Sequence, residues 1–335
     1  MIEGNKLISA VIPAFNEPAY TRKTLDSVML QTYRPIEIIL SDDNSPESLK
    51  ALADEKIAEC DAGITIKYFR QKVNLNYYWN LQFVLGKASG HFIVLLDHDD
   101  WLVDRTFFAD SIRAIESRPN CFMSIANTLI ENTPQTILNF HYPNWHYLDG
   151  PAFIKNYLFS TVHPSRSAVV MRFDQLKKLN YKRFFLEKES ANRMHTMPDE
   201  AFVLICLLAS VGDVVLTGRV VSVRGMPLAG LSRTSLWHET GGGKMFVPHF
   251  LLYQYFRGSG CSDGMQAMSH NLLLRYPCQN INVEMIKFLD FNRTAILFMV
   301  LGVLSFNCKR IIAFPMRIPV IVRSLMVRVA RKLFL

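Results

Sequence analysis

The sequence predicts an α/β fold in which a parallel sheet is flanked by helices. In the first hundred residues, short apolar segments typical of buried strands alternate with segments whose apolar residues recur at helical spacing. Acidic clusters directly follow two of these strands, SDDNS at 41–45 and DHDD at 97–100. In a parallel sheet both clusters would meet at the carboxyl edge, where ligands bind in open α/β sheets.

The amino-terminal elements follow the order expected of βαβ units. Apolar runs predict strands at 7–12, 36–40, 65–69 and 92–96. Between them, apolar residues at helical spacing predict helices at 20–30, 46–60 and 78–88. Strands separated by helices favour a parallel sheet that is covered on both faces.

The second half of the chain is less regular. Strands are expected at 121–125, 168–171 and 213–223, and helices at 103–117 and 200–211. Residues 131–165 carry aromatic residues, prolines and histidines without clear periodicity, which favours a loop region that shapes a pocket. Three glycines at 241–243 indicate a hinge or boundary. We therefore expect three parts, namely a main domain over 1–235, a helical extension over 236–293 and a basic, apolar tail over 294–335.

The basic excess of the chain lies in that tail. The net charge is +8 at pH 7, from 37 Lys and Arg against 29 Asp and Glu. Residues 294–335 hold seven of the basic residues and no acidic one, which leaves 30 basic against 29 acidic residues in the rest of the chain. A nearly neutral body argues against a nucleic-acid partner, which would need a basic surface.

The cysteines and the amino terminus indicate a cytoplasmic protein. The six cysteines are scattered, with no C-x-x-C pair and no zinc-ligand spacing, as expected of free thiols in a reducing compartment. Glu3 and Lys6 precede the first apolar run, and Pro13 ends that run too early for a secretory signal.

Asp97, Asp99 and Asp100 are the first candidates for a functional site. In an extended segment Asp97 and Asp99 project to the same side, where both carboxylates can approach one cation. Carboxylates held together repel each other, and a divalent metal relieves that repulsion. The alternative is a solvated turn in which Asp100 caps the following helix.

Two other acidic clusters are open to a functional and a structural interpretation. The carboxylates in 41–45 can accept hydrogen bonds from a ribose hydroxyl or a base N–H, or they can form an Asx turn before a helix that begins near Pro46. Asp199 and Glu200 stand at the start of an apolar helix, where an acidic residue commonly does no more than complement the helix dipole.

The order and spacing of these motifs resemble the family-2 glycosyltransferases over roughly residues 6–232. The segment VIPAFNEPAYTRKTLDSVMLQTYRPIEIILSDDNS resembles the opening block of that family. NLNYYWN followed by ASGHFIVLLDHDD resembles its next block, which ends in a metal-binding D-x-D. The resemblance implies a Rossmann-like GT-A fold with a mixed, mostly parallel sheet flanked by helices. It also implies a nucleoside-diphosphate-sugar donor, and Mn²⁺ or Mg²⁺ as cofactor.

The resemblance also implies roles for individual residues. Asp99 is the expected direct metal ligand, and Asp97 is the second, nearer to the ribose or the sugar. Asp199 and Glu200 match an acidic pair that holds the catalytic base. That pair is usually Glu-Asp, so the reversed order leaves the choice open, and alignment to the following helix favours Glu200. The residues implied in binding the nucleotide sugar are Pro13, Phe15, Asn16, Asp43, Asn74, Asp97 and Arg224.

Two positions depart from the pattern of the family. An Arg-x-His segment is here Arg224-Gly225-Met226, so that Arg224 remains for the diphosphate and the histidine is missing. The glycine usual two residues after Asn74 is Asn76. Metal coordination would then depend more on Asp99 and water.

The implied activity is the transfer of one sugar, with inversion, to a saccharide acceptor in cell-surface polysaccharide synthesis of the O-antigen type. A bias towards UDP is implied for the donor. No tryptophan follows an arginine, so the Q-x-x-R-W segment of processive synthases is missing and a single addition is expected. The alternatives are a sugar nucleotidyltransferase, whose Gly-rich loop would stand where this chain has PAFNEP, and a non-catalytic scaffold with a degenerate transferase fold.

The tail favours a membrane surface. Residues 295–306 are apolar or small but too few to span a bilayer. In a helix, Arg328, Arg331 and Lys332 would share about a third of the circumference, which is typical of helices in an anionic interface. A core-packing helix with a basic cytosolic end is the alternative. The membrane interpretation predicts peripheral attachment to the inner face of the cell membrane and a lipid-linked acceptor.

Overall fold

The chain divides into two compact units. The computed structural model describes residues 5–137, 142–154, 164–184, 200–226, 246–260 and 265. The first unit comprises Met1–Arg183 and Glu200–Thr234, and the second comprises Phe184–Asp199 and Ser235–Leu335. The predicted tail at 294–335 lies outside the described residues, and the division of 236–335 into an extension and a tail stays a prediction.

A single sheet forms the centre of the first unit. Within the described residues its strands are β1 (Ile8–Ala14), β2 (Ile36–Asp42), β3 (Ile64–Arg70), β4 (Phe92–Leu95), β5 (Asp100–Leu102), β6 (Cys121–Ile130), β7 (His146–Leu148), β8 (Val169–Arg172) and β9 (Asp213–Arg224). Their order is β3-β2-β1-β4-β8-β6-β9-β5, and β7 pairs with the first part of β9.

Six of these nine strands run in the same direction. The pairings β1–β2, β1–β4, β2–β3 and β6–β9 are parallel, whereas β8, β5 and β7 are antiparallel to their neighbours. The predicted mixed, mostly parallel sheet is therefore confirmed. The ends of β1, β2, β4, β6 and β9 lie together at what we call the carboxyl edge, and the antiparallel β8 begins there.

Helices of the first unit pack against this sheet, as the sequence predicts. They are α1 (Pro18–Met29), α2 (Lys50–Ala58), α3 (Asn76–Lys87), α4 (Phe107–Glu116), α5 (Gly150–Phe153), α6 (Phe173–Lys178) and α7 (Glu200–Ala209). Every residue of β1 and β2 is buried, as expected of central parallel strands covered on both faces. The second unit contains α8 (Phe246–Ser259), where Tyr255 packs edge-on against Phe184 with ring centres 5.5 Å apart.

The structure departs from the predicted elements mainly at short or irregular segments. β5, β7, α5 and α6 were not predicted, because three to six residues carry too little periodicity. The helix expected at 46–60 begins only at Lys50, since the carboxylate of Asp42 binds the backbone N–H groups of Ser45 and Leu49 and holds the intervening loop. In the described part of the chain, no helix combines the length and apolar character needed to cross a bilayer.

Candidate active site

The carboxyl edge brings together the loops that follow β1, β2 and β4. The parallel register pairs Ala14 with Asp42 and Val11 with Leu95, so that the three strands end side by side. The N–H of Asp43 donates to the carbonyl of Ala14 at 2.8 Å, which joins the first two loops. Residues far apart in the sequence therefore meet at the carboxyl edge.

The loop after β1 turns sharply. Asn16 and Glu17 adopt left-handed backbone angles, with φ values of 58° and 53°, and the N–H of Asn16 donates to Ser45 Oγ at 2.8 Å. Pro13 is buried in β1, whereas Phe15 is 40% exposed. The loop thus presents an aromatic side chain at the surface of the edge.

The two adjacent aspartates at the end of β2 have different environments. Asp42 accepts hydrogen bonds from two backbone N–H groups, from Tyr68 at 3.0 Å and from Arg70 at 2.5 Å. Burial alone would raise the pKa of Asp42, but these donors outweigh it and lower the pKa. The structural interpretation therefore holds for Asp42. Asp43 is left at the edge, where its Oδ1 accepts the N–H of Leu75 at 2.7 Å.

The start of α3 explains one departure from the family pattern. Asn76 has a φ of 69°, in the left-handed region that favours glycine and that asparagine tolerates better than most residues. Its N–H donates to Asn74 Oδ1 at 2.9 Å. Asn76 therefore preserves the turn that a glycine would make, and the side chain of Asn74 stabilises this turn by accepting that hydrogen bond.

Asp97, Asp99 and Asp100 converge at the end of β4. Among the described residues they are the one group of three or more acidic, His or Cys side chains placed as for a metal ion, with one oxygen of each within 4.8 Å of the others. Asp100 is 1% exposed and lies in β5 opposite Arg224, while the next helix begins at Phe107. The alternative of a solvated turn with Asp100 as a helix cap is therefore wrong.

The cluster is electrostatically strained. Burial, reinforced by the charge of Asp97, raises the pKa of Asp99 to about 7. Burial together with the charges of Asp97 and Asp99 raises the pKa of Asp100 to about 8. The positive charge of Arg224 opposes both shifts. These carboxyls are thus only partly ionised near neutral pH.

Other buried carboxylates in the sheet behave oppositely. Glu37, which is 3% exposed, binds Lys67 at 2.8 Å, Ser9 at 2.5 Å and the backbone N–H of Ser89 at 2.6 Å. Burial by itself would raise the pKa of Glu37, but these donors lower it. Donors lower the pKa of the structural carboxylates, whereas the pKa values of Asp99 and Asp100 stay raised. Shifted pKa values that donors do not offset are typical of functional sites. Three oxygen ligands with excess negative charge fit a hard divalent cation such as Mg²⁺ or Mn²⁺.

Side chains that the sequence did not predict support two of the three carboxylates. Tyr77 donates to Asp97 Oδ1 at 2.9 Å, and Arg166 Nε lies 3.3 Å from Asp97 Oδ2. Ser167 donates to Asp100 Oδ2 at 2.6 Å, and Ser165 lies 3.4 Å from the same oxygen. Residues 165–167 immediately precede β8, whose antiparallel direction brings them to the carboxyl edge. Their polar Ser-Arg-Ser sequence before a strand was the available signal.

The end of β9 completes this edge. Arg224 is its last residue, and Gly225 approaches the acidic loop closely. A Cβ at position 225 would lie 2.0 Å from the carbonyl oxygen of Asp99 and 3.0 Å from Cε1 of Tyr20. Glycine is required here by the close approach of two backbones.

The predicted catalytic pair is described only in part. Glu200 is the first residue of α7, which packs on β6 and β9 and leads through residues 210–212 into the start of β9. The helix therefore runs back along the sheet and begins on the side of the carboxyl edge. Asp199 lies outside the described residues.

The family assignment follows from a match over the region that builds most of this edge. The model of glycosyl transferase family 2 matches residues 9–179, slightly more than half of the chain. The chain belongs to this family. The predicted family and its GT-A fold are thereby confirmed.

Curated relatives match this chain over short spans. The GalNAc(5)-diNAcBac-PP-undecaprenol β-1,3-glucosyltransferase of Campylobacter jejuni is 33% identical over 128 residues, which are 37% of this chain and 38% of that protein. The glycosyltransferase GlyA of Streptococcus pneumoniae is 33% identical over 95 residues, which are 28% of this chain and 13% of that protein. The chain thus matches well under half the length of these relatives.

Solved structures share the fold at low sequence identity. The S. aureus TarS fragment 1–349 has a TM-score of 0.56 and 14% identity, with 88% of this chain and 80% of that chain covered. The same fragment in complex with UDP-GlcNAc has a TM-score of 0.54 and 11% identity, with coverages of 88% and 90%. At these identities the likeness establishes the fold alone.

The shifted carboxyls make the stability of the cation-free protein depend on pH. Unfolded aspartates titrate near pH 4, whereas Asp99 and Asp100 titrate at about 7 and about 8 in the folded chain. The folded state binds more protons over this range, so the free energy of unfolding should fall as pH rises from about 4 through about 8. Urea unfolding of the chelator-treated protein at about pH 6 and about pH 8.5 measures the fall. Asp99→Asn and Asp100→Asn should each reduce this fall in the free energy of unfolding. An unchanged fall in both variants would contradict the raised pKa values of the two aspartates.

Gly225→Ala tests the contact between β9 and the acidic loop. The added Cβ would displace the Asp99 backbone, so we expect Mn²⁺-dependent UDP binding to weaken by roughly tenfold or more while the fold is retained. Gly86→Ala in α3 is the matched control, because a Cβ there meets nothing within 4 Å. That control should bind UDP normally and gain up to about 1 kcal/mol in stability from helix propensity. Equal UDP affinity in both variants, measured by calorimetry, would exclude a role for this contact in binding.

Proposed function

We propose that the chain is an inverting, metal-dependent glycosyltransferase that moves one sugar from a UDP-sugar to a lipid-linked saccharide acceptor. The observation that carries the proposal is the acidic cluster of Asp97, Asp99 and Asp100 at the carboxyl edge, beside Arg224. A divalent cation would neutralise the negative charge of these carboxylates and, at the same time, that of a bound nucleoside diphosphate. Family membership supports sugar transfer as the reaction.

The donor nucleotide would bind at the loops after β1 and β2. Phe15 offers an exposed ring against the base, and Asp43 offers a carboxylate to a base N–H or ribose hydroxyl. Pro13 and Asn16 shape the first loop, and Asn74 orders the start of α3 beside Asp43. These residues would hold the nucleotide so that its diphosphate points along the edge towards Arg224.

Asp99 and Asp97, with Asp100 beside them, would hold Mn²⁺ or Mg²⁺. A divalent cation held there would neutralise charge that grows on the departing diphosphate. Arg224 would share this task through charge-assisted hydrogen bonds. Since both oxygens of Asp97 have partners, Asp99 is the more available ligand in the described structure.

Glu200, or its neighbour Asp199, would take the proton from the acceptor hydroxyl. A carboxylate suits this task because the attacking oxygen becomes acidic only as its bond to the anomeric carbon forms. Direct displacement inverts the anomeric configuration, so an α-linked donor gives a β-linked product. The start of α7 on the side of the carboxyl edge supports Glu200 for this role.

The choice of substrates rests on the relatives. The C. jejuni relative acts, according to its name, on a saccharide joined to PP-undecaprenol, which supports a lipid-linked acceptor and a place in cell-surface polysaccharide synthesis. UDP is the first nucleotide to test because TarS was crystallised with UDP and UDP-GlcNAc. The basic, apolar tail at 294–335 would attach the cytoplasmic protein peripherally to the inner face of the membrane.

Two alternative functions would require different features at the carboxyl edge. A sugar nucleotidyltransferase would need a Gly-rich phosphate loop after β1, where this chain has a tight turn at Asn16 and Glu17. A non-catalytic scaffold would keep the carboxylates without turnover. Release of free UDP that depends on acceptor distinguishes the proposed transferase from both.

Glu200→Gln should lower the transfer rate by roughly 100-fold or more while the affinity for UDP stays unchanged, because a general base acts on the acceptor alone. UDP release from a UDP-sugar in the presence of a polyprenyl-diphosphate-linked saccharide is the assay. Asp199→Asn, measured in parallel, decides which carboxylate is the base, and the exposed Glu47→Gln is the control. Full activity of both Glu200→Gln and Asp199→Asn would refute the proposed base.

A further inference from the structure

Arg166, Tyr77 and Asp97 contact one another pairwise. The Nε of Arg166 lies 3.3 Å from Asp97 Oδ2, and the Tyr77 hydroxyl donates to Asp97 Oδ1 at 2.9 Å. The same hydroxyl accepts a hydrogen bond from Nη1 of Arg166, whose guanidinium carbon is 5.0 Å from the centre of the Tyr77 ring. Both oxygens of Asp97 are thus engaged by the protein itself.

This contact places a full positive charge inside the acidic cluster. The side chains of Arg166 and Asp97 are only 18% and 17% exposed, so solvent and salt screen the charge weakly. The charge reaches beyond Asp97, because it also opposes the rise in the pKa of Asp99. Arginine keeps its charge at any pH at which the protein is folded.

The turn that carries Arg166 distinguishes the three carboxylates. Ser165 and Ser167, on either side of Arg166, lie within hydrogen-bonding distance of Asp100. Within the described residues, no side chain donates a hydrogen bond to Asp99. Residues 165–167 therefore contact Asp97 and Asp100 but donate no side-chain hydrogen bond to Asp99.

We propose that Arg166 is a positioning residue that acts as a built-in counter-cation at Asp97. It fixes the Asp97 carboxylate together with Tyr77, and it weakens the attraction of the nucleotide-free site for a divalent cation. A cation then binds well only when a diphosphate supplies further oxygen ligands, so that cation and nucleotide binding become coupled. The inference rests on the proposed function, since it assumes a cation at these carboxylates.

Calorimetric titration of Mn²⁺ into the full chain, with and without UDP, tests the proposal in Arg166→Gln and wild type. Removing the charge should tighten Mn²⁺ binding to the nucleotide-free protein by roughly three- to tenfold. The factor by which UDP and Mn²⁺ strengthen each other's binding should shrink, because coupling is reciprocal. A variant that only damaged the fold would weaken both ligands instead.

Two substitutions test whether the effect comes from the positive charge at position 166 rather than from the shape of the arginine or from the net charge of the protein. Arg166→Lys keeps the charge without the planar fork, so its Mn²⁺ affinity should stay within about twofold of wild type. Arg113→Gln removes one positive charge from a side chain that is 77% exposed on α4, and it should leave Mn²⁺ binding unchanged. Should Arg166→Gln fold poorly, Asp97→Asn with and without Arg166→Gln leaves no carboxylate unpaired at position 97 and tests whether the charge of Arg166 weakens Mn²⁺ binding at the remaining carboxylates.

The outcomes are distinguishable. Mn²⁺ binding to Arg166→Gln that is no tighter than to wild type, while wild type binds UDP in a Mn²⁺-dependent manner, overturns the counter-cation and leaves the proposed function standing. Equal tightening in Arg166→Lys and Arg166→Gln also overturns it, since charge would not be the cause. If no protein binds Mn²⁺ with or without UDP, the proposed metal site fails and the inference falls with it.

Discussion

The repulsion between three carboxylates after β4, one of them buried and two partly buried, is the constraint on which the rest of the site depends. One oxygen of each lies within 4.8 Å of the others. At such distances and in partly buried surroundings full ionisation is costly, and the pKa values of Asp99 and Asp100 rise to about 7 and about 8. The surrounding structure relieves this repulsion only in part, through Arg166 and Arg224. The remaining negative charge is what a divalent cation would neutralise.

The sheet topology supplies these positive charges. β8 is antiparallel to β4 and therefore begins at the carboxyl edge, which brings Arg166 to Asp97. β9 runs parallel to β6 and ends at the same edge, which brings Arg224 opposite Asp100. The acidic residues come from the first half of the fold and the arginines from the second. A complete site thus requires the mixed sheet rather than the parallel half alone.

The amino-acid sequence predicted the parallel half of the sheet well, because its buried strands are long and separated by amphipathic helices. It also singled out Asp43, Asp97, Asp99 and Arg224, which all follow or end strands at the carboxyl edge. The choice of Asp43 over Asp42 came from the family resemblance, and the sequence could not show why Asp42 is structural, since that depends on donors from Tyr68 and Arg70, which lie on β3. It also missed Arg166 and Tyr77, because their approach to Asp97 depends on strand direction and on a contact across 89 residues.

The central claim is that the carboxyl edge binds a nucleoside diphosphate through a cation held by Asp99. Calorimetric titration of UDP into wild type and Asp99→Asn, each with and without Mn²⁺ and with GDP as the comparison nucleotide, tests it most directly. The account predicts that UDP binds wild type only with Mn²⁺ and that Asp99→Asn loses this binding although it remains folded. UDP binding that is equally strong without Mn²⁺, or unaffected by the substitution, would contradict the account.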